Sequence, residues 1–108
     1  MKLLVVMLNA TEKLEEVLEG LIEADVTGAT VVDSVGMGKL IEDVPLFAGL
    51  RGLFRSAKPR NHMLFSVIND AQTNEVLGIL AKILDCAGTK RGSGFAIVLP
   101  VEQVIGLC

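Results

Sequence analysis

The chain has 108 residues, 51% of them hydrophobic, and ten Lys and Arg against thirteen Asp and Glu give it a net charge of -3. That length suits one domain over residues 1–108, and the apolar content excludes an intrinsically disordered chain. Net acidity argues against a general nucleic-acid binder, whose affinity rests on excess cations.

The opening MKLLVVMLNATEK holds an apolar run too short for a signal-peptide core, and no stretch approaches the length of a membrane span, so a cytoplasmic protein is expected. Lys2 to Leu8 is apolar at odd and even positions and predicts a first strand. Asn9, with Glu12 three residues later, fits the reciprocal cap of a helix through TEKLEEVLEGLIEA. Its buried stripe is Leu14, Val17, Leu18, Leu21 and Ile22, and Asp25 to Gly28 closes it. ATVVDSV, Ala29 to Val35, is β-branched and predicts strand two. A long loop of about residues 36–61 follows.

Met63 to Ile68 predicts strand three. Asp70 or Thr73 can cap a second helix to about Leu84, with Val76, Leu77, Leu80, Ile83 and Leu84 inward. The glycine-rich AGTKRGSG leads into strand four, FAIVL, and VEQVI is read as a short helix or edge strand. The order β-α-β-β-α-β predicts an α+β, ferredoxin-like sandwich: a four-stranded antiparallel sheet with two helices on one face. The other face is then bare, although the strands are apolar on both sides, so self-association through the sheet is expected.

Charge is unevenly spread. Residues 1 to 50 carry three bases and nine acids, whereas residues 51 to 61 carry four bases and no acid. Within the long loop, PLFAGLRGLFR (Pro45 to Arg55) places Leu46, Phe47, Leu50, Leu53 and Phe54 on one helical face. Arg51 and Arg55 interleave with them. Gly49 and Gly52 each disfavour a free-standing helix by about 1 kcal/mol, so a helix here forms on docking. Cys86 and Cys108 lack the number and spacing of a metal site, and Cys86 reads as a small core residue. The sole His62 has no evident acid–nucleophile pair. No catalytic residue and no metal ligand is assigned.

The end of the chain, AGTKRGSGFAIVLPVEQVI, resembles the glycine-rich turn, last strand and following Val-Glu of the P-II signalling proteins, the nitrogen-regulatory superfamily. The beginning, MKLLVVMLNATEKLEEVLEGLIEADVTGATVVDSVGMGK, is similar to that family's first strand, helix, turn and second strand, with Gly36, Gly38 and Lys39 matching the entry to its long loop. The resemblance implies a homotrimer with inward-facing sheets, adenine nucleotides bound in clefts between subunits, and a loop that docks on enzymes, transporters or other regulators. It implies regulation and not catalysis, and no resident cofactor. It places an effector on Gly36, Gly38, Lys39 and the turn Gly88, Thr89, Lys90, Arg91, Gly92, Ser93 and Gly94, whose backbone N–H groups and cations suit an anion. It makes Leu46, Phe47, Leu50, Arg51, Leu53, Phe54 and Arg55 the partner-binding element, with a membrane transporter as the expected partner.

The family's usual Lys after the last glycine is Phe95 here, the basic residues usual after its Val-Glu are Ile105 to Cys108, and Leu40 stands for a glutamine. A less charged effector than a triphosphate is therefore expected, a nucleoside monophosphate or cyclic nucleotide, or none. The absence of Tyr excludes control through a modified loop tyrosine. The alternative readings are a small ferredoxin-like enzyme and a metal-responsive trimer; both lack the residues their chemistry needs.

Overall fold

A computed structural model describes residues 1–34, 61–84 and 93–107. The chain runs through β1 (Lys2–Leu8), a 3-10 turn (Thr11–Lys13), α1 (Leu14–Glu23), β2 (Thr30–Ser34), β3 (Asn61–Ile68), a second 3-10 turn (Asp70–Gln72), α2 (Thr73–Leu84) and β4 (Gly94–Pro100). The strands form one antiparallel sheet in the order β2-β3-β1-β4. This is the ferredoxin-like arrangement expected from the element order.

Register sorts the side chains into two sets. Leu4 lies between Ser66 and Val98, and Val6 between Leu64 and Ala96. On this face Leu4, Val6 and Leu64 join Val17 and Leu21 of α1 and Val76, Leu80 and Leu84 of α2 in a single core, with Ala96 and Val98 packed against it. The alternate residues form the opposite face. There Val5 lies between Phe65 and Ile97, Leu3 between Val67 and Leu99, and Met7 between Met63 and Phe95. No helix covers that face among the described residues.

The helical layer departs from the expected details at four places. α1 begins only after a 3-10 turn whose cap position is Ala10, not Asn9. The Asn9 and Ala10 amides instead donate to the Ser93 carbonyl at 2.7 and 3.0 Å, which fastens the end of β1 to the start of β4. The α1 stripe is also rotated. Val17, Gly20, Leu21 and Ala24 are buried, whereas Ile22 is 64% exposed. Gly20 explains this, because a Cβ there would come within 2.6 Å of Ile79 Cγ2: the helices meet at the glycine, and Ile22 is turned outward. At α2 the cap is Asn69, one residue before Asp70, with its N–H donated to Gln72 Oε1 at 2.9 Å. Asp70 is thereby left to pair with the N-terminal ammonium at 3.1 Å. Finally, Val101–Leu107 form neither helix nor strand. The Val101 amide donates to the Met1 carbonyl at 3.2 Å, so this tail leaves β4 across the start of β1.

The end of α1 needs no glycine. Asp25 takes a left-handed φ of 63°, its N–H donates to the Ile22 carbonyl at 3.0 Å, and the Val26 N–H donates to Leu21 at 2.8 Å. These two bonds make a Schellman closure, with buried Val26 as its apolar contact.

Candidate functional site

Two regions bear on function: one end of the sheet, and a cleft at the other end of β2. The sheet end is set by register. Asp33 on β2, His62 on β3, Leu8 on β1 and Gly94 on β4 lie on one level across the four strands. Residues 36–39 follow β2 from this end and residues 88–92 precede β4 at it. Their anchors are the two outer strands, three interstrand spacings or about 14 Å apart. One chain thus holds the two anchors on opposite edges of its sheet.

Of the expected effector residues, Ser93 and Gly94 lie among the described residues. The Ser93 amide donates to the Leu84 carbonyl at 3.1 Å and its carbonyl takes the Asn9 and Ala10 amides, so its backbone ties α2 to β1. Gly94 opens β4, and a Cβ there would collide with the Met7 backbone carbonyl, which is a packing reason for glycine independent of any ligand. Gly36, Gly38, Lys39, Gly88, Thr89, Lys90, Arg91 and Gly92 lie outside the described residues. So do Leu46, Phe47, Leu50, Arg51, Leu53, Phe54 and Arg55 of the expected docking element, and Cys86 and Cys108.

His62 has a neighbour that spacing along the chain does not reveal. An Asp33 carboxylate oxygen lies 2.9 Å from its Nδ1, across the β2–β3 pair. The approach is off the line of a hydrogen bond, so the two groups are brought together by strand pairing alone. The adjoining Ser34 hydroxyl donates to the Asn61 carbonyl at 3.2 Å. The two contacts clasp the strands where residues 35–60 leave and return. Among the described residues no group of three or more His, Cys, Asp and Glu side chains comes together as a metal site, and no helix is long and apolar enough to cross a membrane.

The second region is an open cleft of about 660 Å³ between the α1–β2 turn and the end of β3. Thr27, Gly28 and Thr30 form one wall, Phe65, Asn69 and Gln72 the other, and Leu107 reaches its rim from the C-terminal tail. Thr30 pairs with Phe65, so the cleft sits the length of β2, about 13 Å, from Ser34. The Ser66 hydroxyl, on a buried residue, donates to the Gly28 carbonyl and holds the first wall against β3. Asp25 is the one charged group among its described lining residues. Apart from that carboxylate the lining is hydroxyls, amides and one aromatic ring, which suits an uncharged, partly apolar group better than a phosphate.

Sequence reading missed this cleft because Asp25 to Gly28 read only as a helix stop, and Ala29, Thr30 and Phe65 only as strand residues. The available signal was Thr-Gly between helix and strand. No curated protein matches the chain in sequence. The model of the family described as nitrogen regulatory protein P-II matches residues 1–107, and with the ferredoxin-like sheet in place the chain belongs to that family of regulatory signalling proteins.

Proposed function

We propose that this protein is a trimeric P-II-type regulator. It takes a small adenine nucleotide or similar anion in clefts between subunits, and controls a partner, a membrane transporter, through the segment that contains Pro45–Arg55. The observation that carries the reading is the bare apolar face of the sheet. Phe65, Phe95, Ile97 and Leu99 stand exposed on strands whose other face packs against the helical core. A patch of this kind in water is an interaction surface, and three copies would cover it by turning their sheets inward.

Assembly also gives the effector a place. Residues 36–39 and 88–94 are anchored on opposite edges of one sheet, so a cleft between two subunits brings one segment from each. Lys39, Lys90 and Arg91 supply the cations, and glycine-rich backbone supplies N–H donors. With Phe95 exposed after Gly94, a monophosphate or cyclic nucleotide fits better than a triphosphate. The docking element then has an apolar centre and a basic rim, which suits a transporter's face beside anionic lipid.

Light scattering at micromolar concentration should report three chains per particle. Calorimetry against AMP, ADP, ATP and cyclic AMP should find one ligand below millimolar, weakened more by Lys90→Ala or Arg91→Ala than by Lys82→Ala. A pull-down from membranes should lose its specific protein with Phe47→Ala/Phe54→Ala while the particle stays intact. A monomer in the first experiment sinks the whole reading.

A further inference from the structure

The wall of the cleft at Asp25–Ala29 has no regular structure, so its shape is set from outside. Gln72 reaches it from the opposite side. Its Oε1 accepts the Asn69 amide at 2.9 Å, while its Nε2 donates to the Ala24 and Asp25 carbonyls at 3.2 and 3.1 Å. Those carbonyls lie past the last turn of α1, where the helix has no amides of its own to offer. One side chain thus closes the start of α2 and the end of α1, and it also lines the cleft. The turn needs such help. Asp25 adopts a conformation that costs an L-residue energy, and it puts a carboxylate at the negative end of a helix.

The geometry points to Gln72 as a positioning residue of the cleft: through the Ala24 and Asp25 carbonyls it fixes the wall from Val26 to Gly28 that a ligand would meet. The inference rests on the reading that the assembled protein takes a small effector, and it seats that effector's uncharged end in this cleft, at the far end of β2 from the segments that would meet its phosphates, so Gln72 acts on binding without touching them.

Gln72→Glu separates the two halves of its work. The introduced carboxylate still accepts the Asn69 amide at a helix start, where an acid is favoured, but it has no proton to donate and faces two carbonyls. The cap is kept and the clamp is lost, whereas Gln72→Ala loses both. Hydrogen exchange should show the Asp25 and Val26 amides opening about tenfold more readily in Gln72→Glu than in wild type, with amides from Val76 onward unchanged. The ratio of variant to wild type should fall back toward one below about pH 4, where the carboxyl regains a donor proton.

In calorimetry with AMP, ADP, ATP and cyclic AMP, the variant should bind the tightest of the four about tenfold more weakly, with its oligomeric state unchanged. Unchanged exchange at Asp25 and Val26, or equal loosening throughout α2, overturns the positioning role. So does a loosened wall with wild-type affinity. If wild type binds none of the four, the effector reading fails, and exchange together with its recovery in acid decides the clamp by itself.

Discussion

Leu64 and Phe65 are neighbours on β3, and their surroundings could hardly differ more. Leu64 is 1% exposed under both helices, and Phe65 is 36% exposed on the far side. The same contrast runs across the sheet, where Leu4 and Val6 are fully buried while Phe95, Ile97 and Leu99 are 52, 44 and 46% exposed. Both faces are equally apolar, so hydrophobicity alone does not say which one is the core of the chain. Covering does. The helices present Val17, Leu21, Val76, Leu80 and Leu84 to one face only, and among the described residues the other has no helix over it, the mark of an interaction surface.

A buried charge separates the faces most strongly. Val6→Asp places an unpaired carboxylate under the helices and should cost more than about 4 kcal/mol, enough to abolish the folded far-UV circular dichroism. Ile97→Asp, on the open face, should keep that signal and lose the oligomer in sedimentation. If both variants unfold alike, the open face is as much a folding core as the covered one, and the comparison collapses. Truncation gives a milder version. Leu64→Ala should cost about 2–5 kcal/mol in urea denaturation at any protein concentration. Phe65→Ala should act on the concentration dependence of the transition, because its loss is felt in association.

The ends of α1 and α2 sharpen the contrast from the covered side. Asp25→Gly relieves the left-handed position and removes a carboxylate from the helix C-terminus, so it should raise folding stability by about 0.5–1 kcal/mol without changing assembly. The smallest effect is expected at Asp70. Its hydrogen bond and charge contact with the N-terminal ammonium, and then Lys2, hold its carboxyl below the ordinary 3.8. A depressed carboxyl stabilises the fold above its unfolded value, and the contribution fades as pH falls through the lower folded one. The group is well exposed, so solvent screens the pair. Thermal midpoints of wild type and Asp70→Asn should therefore differ slightly near neutral pH and converge in acid, while the oligomer is indifferent throughout.

Much of this architecture was legible in the residues. Alternation and β-branching located every strand to within two residues at each end that the structure describes, and the stripe of α2 fell where the 3.6-residue period placed it. The family was legible too, from the glycine-bearing turns in order. The misses have a common cause: they depend on what lies opposite in space. Asn9 has the residue type of a cap but gives its amide to Ser93, a partner 84 positions away. Ile22 belongs to an apolar stripe by period, yet the close approach of Ile79 at Gly20 turns it outward. Gln72 looks like an ordinary polar helix residue until the end of α1 is brought beside it. The His62–Asp33 contact likewise exists only because β2 and β3 pair in this register.

The pairing of Ser34 with Asn61 has an evolutionary side. Residues 35–60 are spliced into what is otherwise a simple hairpin, and their ends are already brought together by the ladder, by the Ser34 hydroxyl on the Asn61 carbonyl and by Asp33 beside His62. Closing a loop between strand ends already paired costs only about 0.6 kcal/mol more for each doubling of its length. Selection can therefore lengthen, shorten or rewrite this segment at almost constant fold stability, while the sheet beneath keeps its register. On the proposed reading, in which this segment docks the partner, partner choice becomes a modular trait carried on one scaffold.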